Sequence, residues 1–216
     1  MKLALLTIGQ SPRKDIIDDI GYLLKNVDYE EYGALDGLTK DYIDKYFSPK
    51  PGEDFYVTRL ADGTEVRVSK KVIEKRVQEV INSIEEHIDL IVILCTGDFN
   101  VSSKKPILIP SKILIKVVET LSPRNLLVFV PAKGQEDMSY RRWSKVVDNV
   151  VIRSWSPYSD SIEKLKEISK NIGHVDLVVM DCIGYSTKHA KVVKDILEKP
   201  VLIPRVLTIA VATSMI

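Results

Sequence analysis

Cysteine is scarce in this sequence, with two in 216 residues. So small a number cannot form the disulfide framework of a small secreted domain, and it falls short of an ordinary structural zinc site. Charge of one sign is lacking as well. Thirty-one basic residues stand against 30 acidic ones, a formal net charge of +1, which gives no field to gather nucleic acid or an anionic membrane surface. Long apolar runs are missing: residues 90–94 and 126–130 are only strand-length, against the roughly 18 residues of a membrane span. The opening Met1-Lys2-Leu3-Ala4-Leu5-Leu6 runs at once into Thr7 and Gln10, and reads as a first strand rather than a signal peptide. Neither G-x-G-x-x-G nor a P-loop occurs, so no nucleotide site is signalled. These absences predict a soluble, cytoplasmic chain with no nucleic-acid or membrane partner, no metal and no cofactor.

What is present is an ordinary globular composition, 45% hydrophobic and 28% charged, enough for a sizeable core. Apolar strand-like runs alternate with helical patterns along almost the whole chain, which predicts an α/β fold with parallel sheets covered on both faces. Ser11-Pro12 reads as an N-cap and first position of a helix to about residue 24. Thr39, Ser69 and Ser111 read as further caps. The stripe Val72, Ile73, Val77, Val80, Ile81, Ile84 marks a helix before the strand at 89–94. Later helices are expected near 135–147, 159–171 and 187–197. Residues 55–60 and 65–68, joined around Asp62-Gly63, read as a β-hairpin.

Two segments repeat each other without a gap. Asp89-Leu90-Ile91-Val92-Ile93-Leu94-Cys95-Thr96-Gly97 lies on Asp176-Leu177-Val178-Val179-Met180-Asp181-Cys182-Ile183-Gly184. Each ends an apolar strand with a cysteine and follows it with a glycine suited to a tight turn. Ligands of doubly wound sheets bind just beyond the carboxyl ends of the strands, so both thiols stand where chemistry is commonly done. A strand-end cysteine is also a frequent small core residue. The pairing in a duplicated unit is what raises the functional reading to equal weight.

The opening Leu5-Leu6-Thr7-Ile8-Gly9-Gln10-Ser11-Pro12-Arg13, with the Cys95 and Cys182 segments, resembles the AroM family of the aspartate/glutamate/hydantoin racemase superfamily. The resemblance spans nearly the whole chain. It implies two pseudo-symmetric parallel-sheet domains with an interdomain cleft, the first formed by 1–105 plus 200–216 and the second by 106–199. It also implies cofactor-independent proton transfer, racemase- or epimerase-like, on a small carboxylate or amino acid between Cys95 and Cys182. A thiolate on one face of the carbon and a thiol on the other is the simplest such device. Substrate-binding groups are expected from Thr7, Gln10, Ser11 and Arg13 after the first strand. Thr96 and Gly97 follow the first cysteine, and Gly184, Ser186 and Thr187 the second. Arg13 offers a bidentate grip on a carboxylate, or is a solvated first-turn cation. His189 is a solvated helix residue or an acid reaching the cleft.

The superfamily's racemases carry Asn-Thr after the first cysteine and Thr-His after the second, where this chain has Thr96-Gly97 and Ile183-Gly184. Asp181, a carboxylate beside Cys182, alternates to the other face if the strand continues. These departures keep a second reading open, a non-catalytic small-molecule-binding or regulatory protein of the same fold. An extra segment, residues 39–68, holds Tyr42, Tyr46, Phe47, Phe55 and Tyr56. It reads as a lid, a homodimer contact or a satellite core.

Overall fold

The computed structural model describes residues 1–216. The chain divides into two compact units, Met1–Pro110 with Thr208–Ile216, and Ser111–Leu207. The first unit runs β1 (Lys2–Thr7), α1 (Lys14–Ile20), β2 (Asp28–Gly33), α2 (Lys40–Tyr46), β3 (Phe55–Arg59), β4 (Glu65–Ser69), α3 (Lys70–Ile84), β5 (Leu90–Leu94) and β6 (Ile107–Leu108). Then come α4 (Pro110–Leu121), β7 (Asn125–Val130), α5 (Glu136–Trp143), β8 (Asn149–Ser154), α6 (Ile162–Ile168), β9 (Leu177–Met180), α7 (Thr187–Leu197), β10 (Val201–Leu202) and α8 (Pro204–Thr213).

Each unit is built on a four-stranded parallel sheet, ordered β2-β1-β5-β6 in the first and β10-β9-β7-β8 in the second. Numbered within its own unit, each sheet reads 2-1-3-4, so the duplication extends to topology. β5 is Leu-Ile-Val-Ile-Leu, buried throughout, as a central parallel strand covered on both faces must be. The helices cover the sheets with one apolar stripe each; in α3 this is Ile73, Val77, Ile81 and Ile84.

The repeated aspartates have matching tasks. Asp89 Oδ2 accepts from the Lys2 amide (2.8 Å) at the start of β1. Asp176 Oδ2 accepts from the Asn125 amide (2.8 Å) at the start of β7. Each therefore pins the third strand of its unit to the first and sets the register that leads to the cysteine.

Several boundaries differ from the sequence expectation. Ser11 is not a helix cap. Its amide and hydroxyl donate to Asp36 (2.7 and 2.6 Å), its bond to Pro12 is cis, and α1 begins at Lys14 with Arg13 as N-cap. Thr39 does cap α2, its hydroxyl accepting from the Tyr42 amide. Ser69 is the N-cap of α3 without a side-chain bond. α5 stops at Trp143, whose carbonyl then takes the Val146 and Val147 amides in tight turns (2.9 and 3.0 Å). α6 starts only after Ser161, which caps it.

The expected hairpin is present as β3–β4, paired Phe55 to Ser69 and Thr58 to Val66. Gly63 lies in its turn at φ +87°, a conformation that suits glycine.

Candidate active site

In a 2-1-3-4 sheet the connections from strands one and three leave in opposite directions, and a crevice opens at their carboxyl ends. In the first unit these strands are β1 and β5, with Thr7 opposite Leu94. In the second they are β7 and β9, with Phe129 opposite Met180. Cys95 and Cys182 are the residues delivered at those points.

The two thiol turns are built alike. The Cys95 amide donates back to the Ile93 carbonyl and the Cys182 amide to the Met180 carbonyl, both at 2.9 Å. The Gly97 amide donates to Cys95 Sγ at 3.4 Å, and the Gly184 amide to Cys182 Sγ at 3.4 Å. Each sulfur thus receives a backbone N–H, which favours the thiolate over the thiol. Both cysteines are buried thiols, 8% and 6% exposed.

The glycines serve for space rather than for backbone freedom. Neither has a positive φ. A Cβ on Gly97 would stand 2.5 Å from Tyr56 Cζ and 2.8 Å from its hydroxyl oxygen. One on Gly184 would stand 2.2 Å from the Tyr158 hydroxyl oxygen and 2.5 Å from its Cζ. A tyrosine lies over the glycine of each turn. Tyr158 arrives on the loop after β8, the second strand of its unit. Tyr56 arrives on β3, in the same connection of the first unit, and its ring packs on Phe99 at 5.5 Å.

The remaining expected site residues of the first unit gather behind β1. The Thr7 hydroxyl accepts from the Gly9 amide and from Arg13 Nη1, both at 3.2 Å. Gln10 braces the loop: its Nε2 donates to the Leu35 and Leu38 carbonyls (3.2 and 2.8 Å) and its Oε1 accepts from the Ala61 amide (2.9 Å). Arg13 is 2% exposed, so the solvated alternative is set aside. Its guanidinium grips a carboxylate through Nε and Nη2, and that carboxylate is Asp15 (both 2.8 Å). Thr96 is buried beside Cys95.

In the second unit Ser186 caps α7 and forms a capping box with His189. The Ser186 hydroxyl accepts from the His189 amide (3.3 Å), while His189 Nδ1 accepts from the Ser186 amide (3.0 Å). The imidazole lies edge-on to Trp155 at 5.4 Å. It is half-buried rather than solvated. Thr187 opens α7. Asp181 points to the face opposite Cys182, where it takes Trp143 Nε1 at 2.9 Å and the Arg142 guanidinium.

Two contributors escaped the sequence reading. Arg205, 1% exposed, donates from Nε to the Ile183 carbonyl (2.9 Å) and from Nη2 to the Gly184 carbonyl (2.8 Å), locking the turn after Cys182. Tyr185 is fully buried, stacked on Trp155 at 5.8 Å with its hydroxyl donating to the Trp155 carbonyl. Burial pushes its phenol well above the ordinary range, with Cys182 and Asp181 adding to the shift. The pairing of Ile109-Pro110-Ser111 with Ile203-Pro204-Arg205, each after the fourth strand of its unit, was a visible signal for Arg205.

This architecture is that of the aspartate/glutamate racemase fold. Allantoin racemase from Klebsiella pneumoniae superposes with a TM-score of 0.61 at 14% identity, over 100% of this chain and 87% of that one. The maleate isomerase Iso from Pseudomonas putida S16 gives 0.60 at 15% identity, over 100% and 93%. Glutamate racemase from Aquifex pyrophilus gives 0.58 at 15%, over 100% and 84%. No curated protein matches the chain by sequence. The profile of the AroM protein family matches residues 3–216, and the chain belongs to that family. No helix is long and apolar enough to cross a membrane.

Proposed function

We propose that the protein is a cofactor-independent proton-transfer enzyme, racemase- or epimerase-like, acting on a small carboxylate or amino acid with Cys95 and Cys182 as its two thiols. The observation that carries this reading is the identical construction of the two thiol turns, each at the end of strand three and each with a glycine amide on sulfur at 3.4 Å. One cysteine, as thiolate, removes the proton from the carbon next to the carboxylate. The other, as thiol, returns a proton to the opposite face, and the roles exchange with substrate handedness. Names of structurally similar proteins, a racemase of allantoin and one of glutamate among them, support the same class of chemistry.

Carboxylate-binding groups come from the loops already described. The Thr7 and Thr96 hydroxyls serve in the first unit, while Gln10, Ser11 and Arg13, engaged with the Leu35 and Leu38 carbonyls, Asp36 and Asp15, shape the loop around them. In the second, Ser186 and Thr187 stand at the start of α7, whose N-terminal amides favour an anion.

The test is solvent deuterium incorporation at Cα across a panel of amino and hydroxy acids. Exchange is expected with at least one acid and should fall by at least about a hundred-fold in Cys95→Ser and in Cys182→Ser, the scale of lost acid–base catalysis. No exchange with any acid would transfer support to the second reading, a binding or regulatory protein. Ile183-Gly184 in place of the racemases' Thr-His favours that one.

A further inference from the structure

Resting on that reading of the two thiols, we infer that Tyr56 and Tyr158 are matched positioning residues that hold the glycine amides against Cys95 and Cys182 and so set the reactivity of each thiol. The two tyrosines share no sequence context. Tyr56 sits in Phe55-Tyr56-Val57 of the hairpin and Tyr158 in Pro157-Tyr158-Ser159 of a loop. They reach the same place from connections of very different length, and they do the same thing there. Each fills the volume in which a Cβ of the turn glycine would lie.

The consequence follows from the N–H···S geometry. Gly97 and Gly184 donate to sulfur two residues back, and such a contact weakens steeply when the donor turns away. The backbone at both glycines lies outside the left-handed region, so the local chain has no conformational reason to exclude a side chain. The ring supplies the reason. Packed on the glycine, it leaves the turn no room to rotate its amide off the sulfur. In the first unit the ring is itself anchored, since the Tyr56 hydroxyl donates to the Asp98 carbonyl at 3.4 Å and its face meets Phe99. In the second, the Tyr158 amide is held by the Ser156 hydroxyl at 3.1 Å, and Arg205 fixes the carbonyl side of the turn. The inserted hairpin then has a defined task. It delivers to the first thiol what a short loop delivers to the second.

The experiment needs no substrate, so its outcome is independent of whether any acid exchanges deuterium. The rate of iodoacetamide alkylation is followed against pH, with each cysteine-containing peptide quantified separately by mass spectrometry. Losing the amide contact disfavours the thiolate. Tyr158→Ala is therefore expected to raise the alkylation midpoint of Cys182 by about one pH unit, seen as about ten-fold slower reaction at neutral pH. Cys95 in the same protein stays unchanged. Tyr158→Phe keeps most of the ring on the glycine and moves the midpoint less than Tyr158→Ala does. Gly184→Ala, which collides with Tyr158, produces the same selective rise at Cys182 and gives an independent route should Tyr158→Ala not fold. Once Tyr158→Ala has vacated the space, adding Gly184→Ala produces little further shift. Tyr56→Ala and Gly97→Ala act in the same way on Cys95. An unmoved Cys182 midpoint in Gly184→Ala or Tyr158→Ala overturns the inference. So does equal movement of both cysteines, or full additivity of the two substitutions.

Discussion

At the scale of single residues, the buried polar groups around Cys182 divide the labour between the faces of β9. Asp181, next to the thiol in sequence, spends its charge on Arg142 and Trp143 on the far side of the strand. Removing either ion partner would leave the other charge poorly solvated, a situation that commonly costs about 3–5 kcal/mol. Tyr185 lies on the near side, its phenol held neutral by burial. A phenol whose folded-state value is raised stabilises the fold fully below the unfolded value near 10, and this contribution is lost as pH climbs toward the folded one. Urea unfolding followed from pH 8 to 11 should therefore show stability falling above about pH 10. In Tyr185→Phe the slope of that fall should be smaller by one proton's worth, even though the variant also loses the bond to the Trp155 carbonyl. An unchanged slope would mean that Tyr185 ionises as freely in the folded protein as in the unfolded one.

At the scale of elements, α7 shows how closely a helix start is tied to the candidate site. Its cap, Ser186, stands two residues beyond Gly184, and the capping box with His189 satisfies two amides reciprocally. Ser186→Ala should lower the unfolding free energy by about 1 kcal/mol, read as a drop in the urea midpoint at unchanged m-value. Elements of this kind were legible in sequence where their signals are local. Thr39 caps α2 as its position suggests, the Asp62-Gly63 hairpin forms, and strands and helices alternate as the pattern predicts, although several ends shift and Ser111, expected as a cap, lies inside α4. The failures have two kinds of cause, one long-range and one local. Ser11 carries every local mark of a cap, but the Asp36 carboxylate, 25 residues away, takes both its amide and its hydroxyl, and α1 starts later. The end of α5 is misplaced for a local reason, since the turns that take the Trp143 carbonyl keep the chain coiled to Val147 and prolong the apolar periodicity beyond the helix. The segment 39–68 was left between three readings by sequence alone. Its burial of Ile43, Phe47, Tyr56 and Val68 favours a satellite core, with Tyr42 and Tyr46 left half exposed on the outer side.

At the scale of the whole molecule, the internal repeat was readable from one motif. Asp-Leu, a strand, Cys, one residue and Gly are enough to align the halves, and the structure gives each shared letter a physical task. The aspartate docks strand three on strand one, the glycine amide meets the sulfur, and the absent glycine side chain makes room for a tyrosine. What the motif could not disclose was that tyrosine, since its two copies reach the turns through connections of unequal length. Nor could it disclose Arg205, whose counterpart in the other half is a serine.

The last helix carries a different kind of consequence. In the first turn of α8, Arg205 grips the Cys182 turn in one unit, while Thr208–Ile216 is grouped with the other. The repeat in the gene and the partition of the folded chain therefore do not share a boundary. A polypeptide of residues 1–110 alone should show no cooperative thermal transition by circular dichroism, because it omits the buried Thr208, Ile209 and Ala212; a sharp transition would establish autonomy. A lesion confined to 204–213 would be felt in both units at once.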